Sequence, residues 1–168
     1  MGDCRDGVSL PCVGWQEWAR LPEIGATWIK AKVDSGACTS ALHAFDIEVF
    51  EREGNAYVRF KVHPKQHNLE KMIEAEAKLV DQRHVRSSGG RRSFRPVIQT
   101  VLEIRDQKLP IELTLVSRKK MKYRMLIGRE ALRDRFVIDP GRTFLGGRKK
   151  RAKPATDLKA NQTESPGK

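Results

Sequence analysis

The sequence predicts an all-β, barrel-like domain, and three observations carry that prediction. Several short segments alternate apolar and charged residues with a period of two. Turn signals separate them at Glu53-Gly54-Asn55, Ser87-Ser88-Gly89-Gly90 and Asp106-Gln107, and a single short stretch, Arg129 to Arg133, has helical character. Many short strands with frequent turns and little helix close into a barrel or a sandwich. At 168 residues the chain fits one domain.

Residues 1–12 read as a loose leader, with Gly, Asp and Pro11 and no apolar period. Thr27 to Val33 then sets Ile29, Ala31 and Val33 against Trp28, Lys30 and Lys32, the pattern of a half-buried strand. Ala41 to Phe50 and Tyr57 to Val62 flank the Glu53-Gly54-Asn55 turn as a hairpin. Met72 to Val80 alternates Ile73, Ala75, Ala77 and Leu79 with charged partners, which favours a strand although Glu, Ala and Lys are good helix formers. Arg95 to Ile104 and Lys108 to Val116 make a second hairpin. Tyr123 to Ile127 is a short apolar strand, and Phe136-Val137-Ile138 is the last one before Asp139-Pro140-Gly141. The domain is expected over 13–147. Beyond it, 148–168 is basic and polar with almost nothing to bury, the composition of a disordered tail.

The net charge is +12, and the tail holds seven Lys/Arg against two Asp/Glu, so the domain itself is also basic. Such a field attracts nucleic acid, anionic membranes or acidic peptides. Three cysteines, Cys4, Cys12 and Cys38, without Cys-x-x-Cys spacing argue against a disulfide framework or a zinc ribbon and for a reduced, cytoplasmic setting. No apolar run reaches membrane-spanning length, and Met1 to Ser9 is too polar for a signal peptide.

Chemistry is expected first at Asp34-Ser35-Gly36-Ala37, directly after the Thr27–Val33 strand. A carboxylate at a strand end, held in a tight Ser-Gly turn, is presented rigidly because Gly36 permits backbone geometry that a side chain would block. Hydrolysis of a peptide by aspartates needs two carboxylates sharing one proton, one as base and one as acid. None of the eight other aspartates is followed by Ser/Thr-Gly, so the chain supplies one such loop.

Two segments carry a resemblance to a known family: the Asp34 loop, and Met125-Leu126-Ile127-Gly128-Arg129-Glu130-Ala131-Leu132 some ninety residues later. Together they resemble the retropepsin-like aspartic proteases, which pair an Asp-Ser/Thr-Gly-Ala loop with a later apolar-apolar-Gly-Arg segment leading into a short helix. With Val13 to Trp18, Thr39 to Ala44, Phe60 to Pro64 and Pro110 to Leu115 included, Val13 to Leu145 is similar to a bacterial family labelled ATP-dependent zinc proteases and encoded near glutamate-adding ATP-grasp ligases. The chain departs from that pattern at Cys38, where arginine is more usual, and at Ser35, where threonine is commoner. The resemblance implies a retropepsin-like barrel with one short C-terminal helix and a homodimer with Asp34 catalytic. Ser35, Gly36, Ala37, Ile127, Gly128 and Arg129 would support the active-site loops.

Basic stretches flank the Ser87–Gly90 turn and precede the second loop, and Arg86, Arg91, Arg92 and Arg124 are the candidates for binding an acidic peptide or protein substrate, since guanidinium forks pair with carboxylates. The family's genomic company suggests glutamate-rich chains. The other readings are a non-catalytic RNA- or ribosome-binding domain using Arg148-Lys149-Lys150-Arg151 for phosphates, and a zinc-dependent peptidase. His43 and His63 with a carboxylate could form a zinc site, but no His-Glu-x-x-His occurs and solvated or core histidines are the commoner case. The nucleotide phosphate loop is absent, Gly141 to Gly146 continuing as Gly147-Arg148. No bound cofactor or metal is therefore expected. Trp15, Trp18 and Trp28 read as core or dimer packing, and Cys38 as a small buried filler.

Overall fold

A computed structural model describes residues 9–63, 71–86, 90, 92–117 and 121–147. The leader up to residue 8, Ser87-Ser88-Gly89, Arg91 and the basic tail lie outside the described residues. The strands are β1 (Cys12–Leu21), β2 (Ala26–Asp34), β3 (Ser40–His43), β4 (Phe45–Arg52), β5 (Asn55–Val62), β6 (Ile73–Arg86), β7 (Arg92–Ile104), β8 (Gln107–Val116), β9 (Met125–Gly128) and β10 (Val137–Thr143), with one helical turn, α1 (Arg129–Leu132). A 3-10 turn, Pro22–Ile24, joins β1 to β2 and closes on Gly25, whose φ of 71° suits glycine.

The strands form one sheet in the order β10-β1-β2-β9-β3-β8-β7-β6-β5-β4, and β1 also pairs with β7, which curls the sheet onto itself. The fold is all-β, as the alternation predicts, and no helix among the described residues is long and apolar enough to cross a membrane. Along β2, Ile29, Ala31 and Val33 are buried while Trp28, Lys30 and Lys32 are half-exposed. Those three meet Ala19 and Leu21 of β1, Leu113 and Leu115 of β8, and Met125 and Ile127 of β9 in a continuous core. Full burial of one such side chain contributes about 1.5–3 kcal/mol, so this inward face fixes which way Asp34 and its neighbours point.

Three expectations need correction, and one strand is added to those expected. Cys12–Leu21 is a strand that the alternation does not announce, because Val13 and Gly14 are both buried and an acidic residue, Glu17, faces inward. The expected strand from Ala41 to Phe50 is two: β3 ends at His43, Ala44 N–H donates to Val116 O, and β4 pairs, among the described residues, only with β5. The last strand runs through Asp139-Pro140-Gly141 to Thr143 instead of stopping before it. Cys38 is exposed, not buried.

Among the described residues, β6 beyond Leu79 pairs only with β7, and β7 before Val97 pairs only with β6. Residues 81–86 and 92–96 thus form a two-stranded arm. Its inner face carries Arg83, whose guanidinium bonds Asp81 and Glu112 at 2.5 Å each; these bonds, that to Glu112 first, raise the Arg83 pKa. Its outer face exposes His84, Arg86, Arg92 and Phe94.

Candidate functional site

Asp34 is the last residue of β2 and stands opposite Gly128, the last residue of β9, in a parallel pairing. The chain then turns sharply: Gly36 N–H donates to Asp34 Oδ1 at 3.1 Å and Ala37 N–H to Asp34 O at 3.2 Å. The second segment grips this turn from the other side. Arg129 N–H donates to Ala37 O at 2.8 Å, Glu130 N–H to Cys38 O at 3.2 Å, and Arg129 Nη1 to Gly36 O at 3.2 Å. Buried Ser40 completes the joint, its Oγ accepting Gly128 N–H at 3.1 Å.

Gly128 has an ordinary φ of −79°, so its need for glycine is one of space and not of conformation. A Cβ there would stand 2.6 Å from Cys38 O and from the Thr39 carbonyl carbon. Two backbones therefore touch at this point, and the Asp34 turn is held on both sides. The carboxylate itself is about one-third exposed, with Lys32 Nζ 3.9 Å from Oδ2. The arrangement offers a fixed, solvent-accessible carboxylate with a cation beside it. The structure thus brings together Asp34, Ser35, Gly36, Ala37, Ile127, Gly128 and Arg129, with Ser35 and Gly36 exposed and Ile127 fully buried.

The four arginines assigned to substrate binding do not form one group. Arg86 and Arg92 are register partners at the outer end of the arm. Arg124 is buried at 9% exposure just before β9, its Nε and Nη1 without a hydrogen-bond partner among the described residues. Arg91 lies outside the described residues. His43 and His63 both stack on Phe45, with ring centroids 6.0 and 4.6 Å from it, and no group of three or more His, Cys, Asp or Glu among the described residues is placed to hold a metal ion. Trp18 and Trp28 are half-exposed and covered by cations: Lys30 lies over Trp18, and Arg20 over Trp28.

Lys32 and Glu17 carry no role in the sequence reading, and Glu130 only that of opening the short helix with Arg129. Lys32 could have been found from the period of two, which puts residues 32 and 34 on the same side of β2. Glu130 accepts a hydrogen bond from Cys38 Sγ at 3.1 Å, a contact between positions 92 residues apart. Glu17, fully buried, accepts Gly14 N–H at 2.8 Å, Leu145 N–H at 2.9 Å and Gly146 N–H at 3.1 Å, so a carboxylate fastens the segment after β10 onto β1.

A relative in Shewanella pealeana named "Probable alpha-L-glutamate ligase" is 42% identical over 137 residues, covering 82% of this chain and 30% of that protein. A protein of the same name in Parasynechococcus marenigrum is 46% identical over 128 residues, covering 76% of this chain and 28% of its own length. The chain therefore spans less than a third of the curated relatives it matches. The crystal structure of Lpg0085 from Legionella pneumophila, described as of unknown function, superposes with a TM-score of 0.70 at 29% identity, covering 82% of this chain and 99% of that one. A family model described as retropepsin-like aspartic endopeptidase RimB matches residues 12–149, and the chain belongs to this RimB-like family.

Proposed function

We propose that the protein is an aspartic-type peptidase whose active site forms when two copies of the chain bring their Asp34 carboxylates together across a twofold axis. The observation that carries this reading is the one-third-exposed Asp34 carboxylate in a turn clamped by residues 128–130, in a chain of retropepsin-like family. Two carboxylates close together cannot both ionise, so they hold one proton between them. The ionised partner takes a proton from water as it attacks the peptide carbonyl, and the protonated one donates to the carbonyl oxygen. Proton transfer to the amine then releases the two products. Gly36 N–H, bonded to Asp34 Oδ1, holds one oxygen of each carboxylate in place and leaves Oδ2 toward solvent and Lys32.

The substrate we assign is a glutamate-rich, acidic chain. Relatives of this domain are longer proteins named as glutamate ligases, and a peptidase of the same family acting on such chains would remove what a ligase adds. The basic charge of the protein favours encounter with such a polyanion, and more strongly at low salt.

Asp34→Asn is the test. The variant should keep the wild-type far-UV spectrum and unfolding midpoint while hydrolysis of an oligoglutamate-containing peptide falls by at least about a thousandfold, the scale on which loss of an essential acid–base group acts. Activity in the wild type should also fall more steeply than protein concentration on dilution. Full specific activity at concentrations where sedimentation detects only monomer, or in Asp34→Asn, would overturn the reading.

A further inference from the structure

The outward face of β1 and β2 carries a band of cations and aromatic rings that begins beside Asp34. Burial of Glu17, Ala19 and Leu21 on β1 and of Ile29, Ala31 and Val33 on β2 turns Trp18, Arg20, Trp28, Lys30 and Lys32 to the other side. Register places Gln16 beside Lys32 and Trp18 beside Lys30. Lys30 Nζ lies over the Trp18 ring at 5.9 Å and over Phe144 at 5.5 Å, and those rings stack on each other at 5.5 Å and 27°. No carboxylate pairs with Lys30 among the described residues. Arg20, further along, sits over Trp28 and is neutralised by Glu103 at 3.0 Å. The band thus holds Lys30, with no carboxylate partner among the described residues, and Lys32, whose carboxylate contact is the 3.9 Å approach to Asp34 Oδ2.

We infer that this face is the docking track of an extended acidic polypeptide, with Lys32 and Lys30 as specificity-determining residues that pair with alternate side-chain carboxylates on the way to Asp34. The inference rests on the peptidase reading for what happens at Asp34, but not for the binding itself. Residues two apart on a strand recur at about 6.6 Å, and alternate side chains of an extended peptide recur at the same interval. Two ammonium groups on β2 therefore match successive same-side carboxylates of a glutamate-rich chain. Lys30 is already ordered, its charge held over two rings, so less side-chain freedom is lost when a carboxylate arrives. The same geometry disfavours single-stranded nucleic acid. Bases bind by stacking on open aromatic faces, whereas Trp18 and Phe144 cover each other and carry Lys30, and Trp28 carries Arg20.

The test uses the full chain carrying Asp34→Asn, so that binding is read without turnover. Fluorescence anisotropy with labelled hexaglutamate, and with hexaglutamine as the neutral control, measures affinity at low and at physiological salt. The pair Lys30→Gln and Lys32→Gln should weaken hexaglutamate binding about tenfold and flatten its salt dependence, each single change contributing part. Lys30→Arg with Lys32→Arg should restore most of the affinity, which a merely unfolded or loosened variant would not do. Hexaglutamate affinity that is undetectable, or unchanged by the glutamine pair, overturns the inference. So does a single-stranded RNA that binds more tightly than hexaglutamate through the same two lysines. Turnover of the same peptide by the wild type separates the two readings. Lysine-dependent binding without hydrolysis refutes the peptidase alone, and hydrolysis with lysine-independent binding refutes the track alone.

Discussion

Adding one methyl group at Gly128 tests whether the two loops of the site are in contact. Because Gly128 has a φ of −79° and ψ of 165°, alanine is conformationally allowed there, and its cost comes only from space. The new Cβ would lie 2.6 Å from Cys38 O, 2.6 Å from the Thr39 carbonyl carbon and 2.8 Å from Thr39 O, where ordinary contacts begin at 3.4 Å. Either backbone must retreat by several tenths of an ångström. That movement stretches bonds spanning the joint: Gly128 N–H to Ser40 Oγ, Arg129 N–H to Ala37 O and Glu130 N–H to Cys38 O. Overpacking costs about 1–3 kcal/mol, and partial loss of hydrogen bonds worth about 1 kcal/mol each brings Gly128→Ala to about 2–4 kcal/mol. Gly54→Ala is the comparator, since Gly54 has φ of 73° but nothing within 4 Å of its Cβ position, and backbone strain there costs about 1 kcal/mol. Urea unfolding of both variants, with the slope of free energy against denaturant held as a check, reads the difference. Peptidase activity should fall about a hundredfold in Gly128→Ala, the effect of displacing a reacting group by about 1 Å. Destabilisation no greater than that of Gly54→Ala would refute the close approach and the clamped carboxylate with it.

Glu17→Gln should destabilise the fold by about 2–4 kcal/mol, because an amide cannot accept all three backbone N–H bonds and turns its NH2 toward one donor. Hydrogen exchange of the Leu145 and Gly146 amides should accelerate in that variant, and unchanged protection would refute the clasp. Acid should unfold the protein partly through Asp139, whose pKa is lowered first by its hydrogen bond from Arg142 and then by Gly141 N–H. A depressed folded-state pKa means the contribution is fully present above the ordinary aspartate value near about 3.9 and is lost as pH falls below it. Asp139→Asn should therefore flatten the stability profile below about pH 4 and leave the slope near neutrality unchanged, as acid titration by circular dichroism would record.

Most strands were legible because a sheet with one face in a core imposes a period of two, and β2, β5 and β6 keep it. β1 was not, since its inward positions include Glu17, a residue acceptable inside only because Gly14, Leu145 and Gly146 donate to it. Those last partners lie 128 and 129 positions away and leave no local trace. The β3–β4 boundary was hidden for a related reason: Ala41 to Phe50 is continuously strand-like, and the break is made by pairing with β8 on one side and β5 on the other. The Asp34 turn was readable from four consecutive residues. Lys32 is equally plain in the sequence, but the charged side of a half-buried strand looks like any solvated face until a carboxylate is found at its end. Arg124 illustrates the opposite limit, because its place between Tyr123 and Met125 gives no hint that it would be enclosed.

The parallel pairing of Asp34 with Gly128 has a consequence for how the molecule comes into being. Its two halves are separated by most of the polypeptide, so the contact requires closing a loop of more than ninety residues, a slow and late event in a chain dominated by distant pairings. A ribosome-bound fragment that has emerged only as far as β8 holds the acidic turn without its clamp. Synthesis order thus delays the appearance of an organised centre until nearly the whole domain is available to fold.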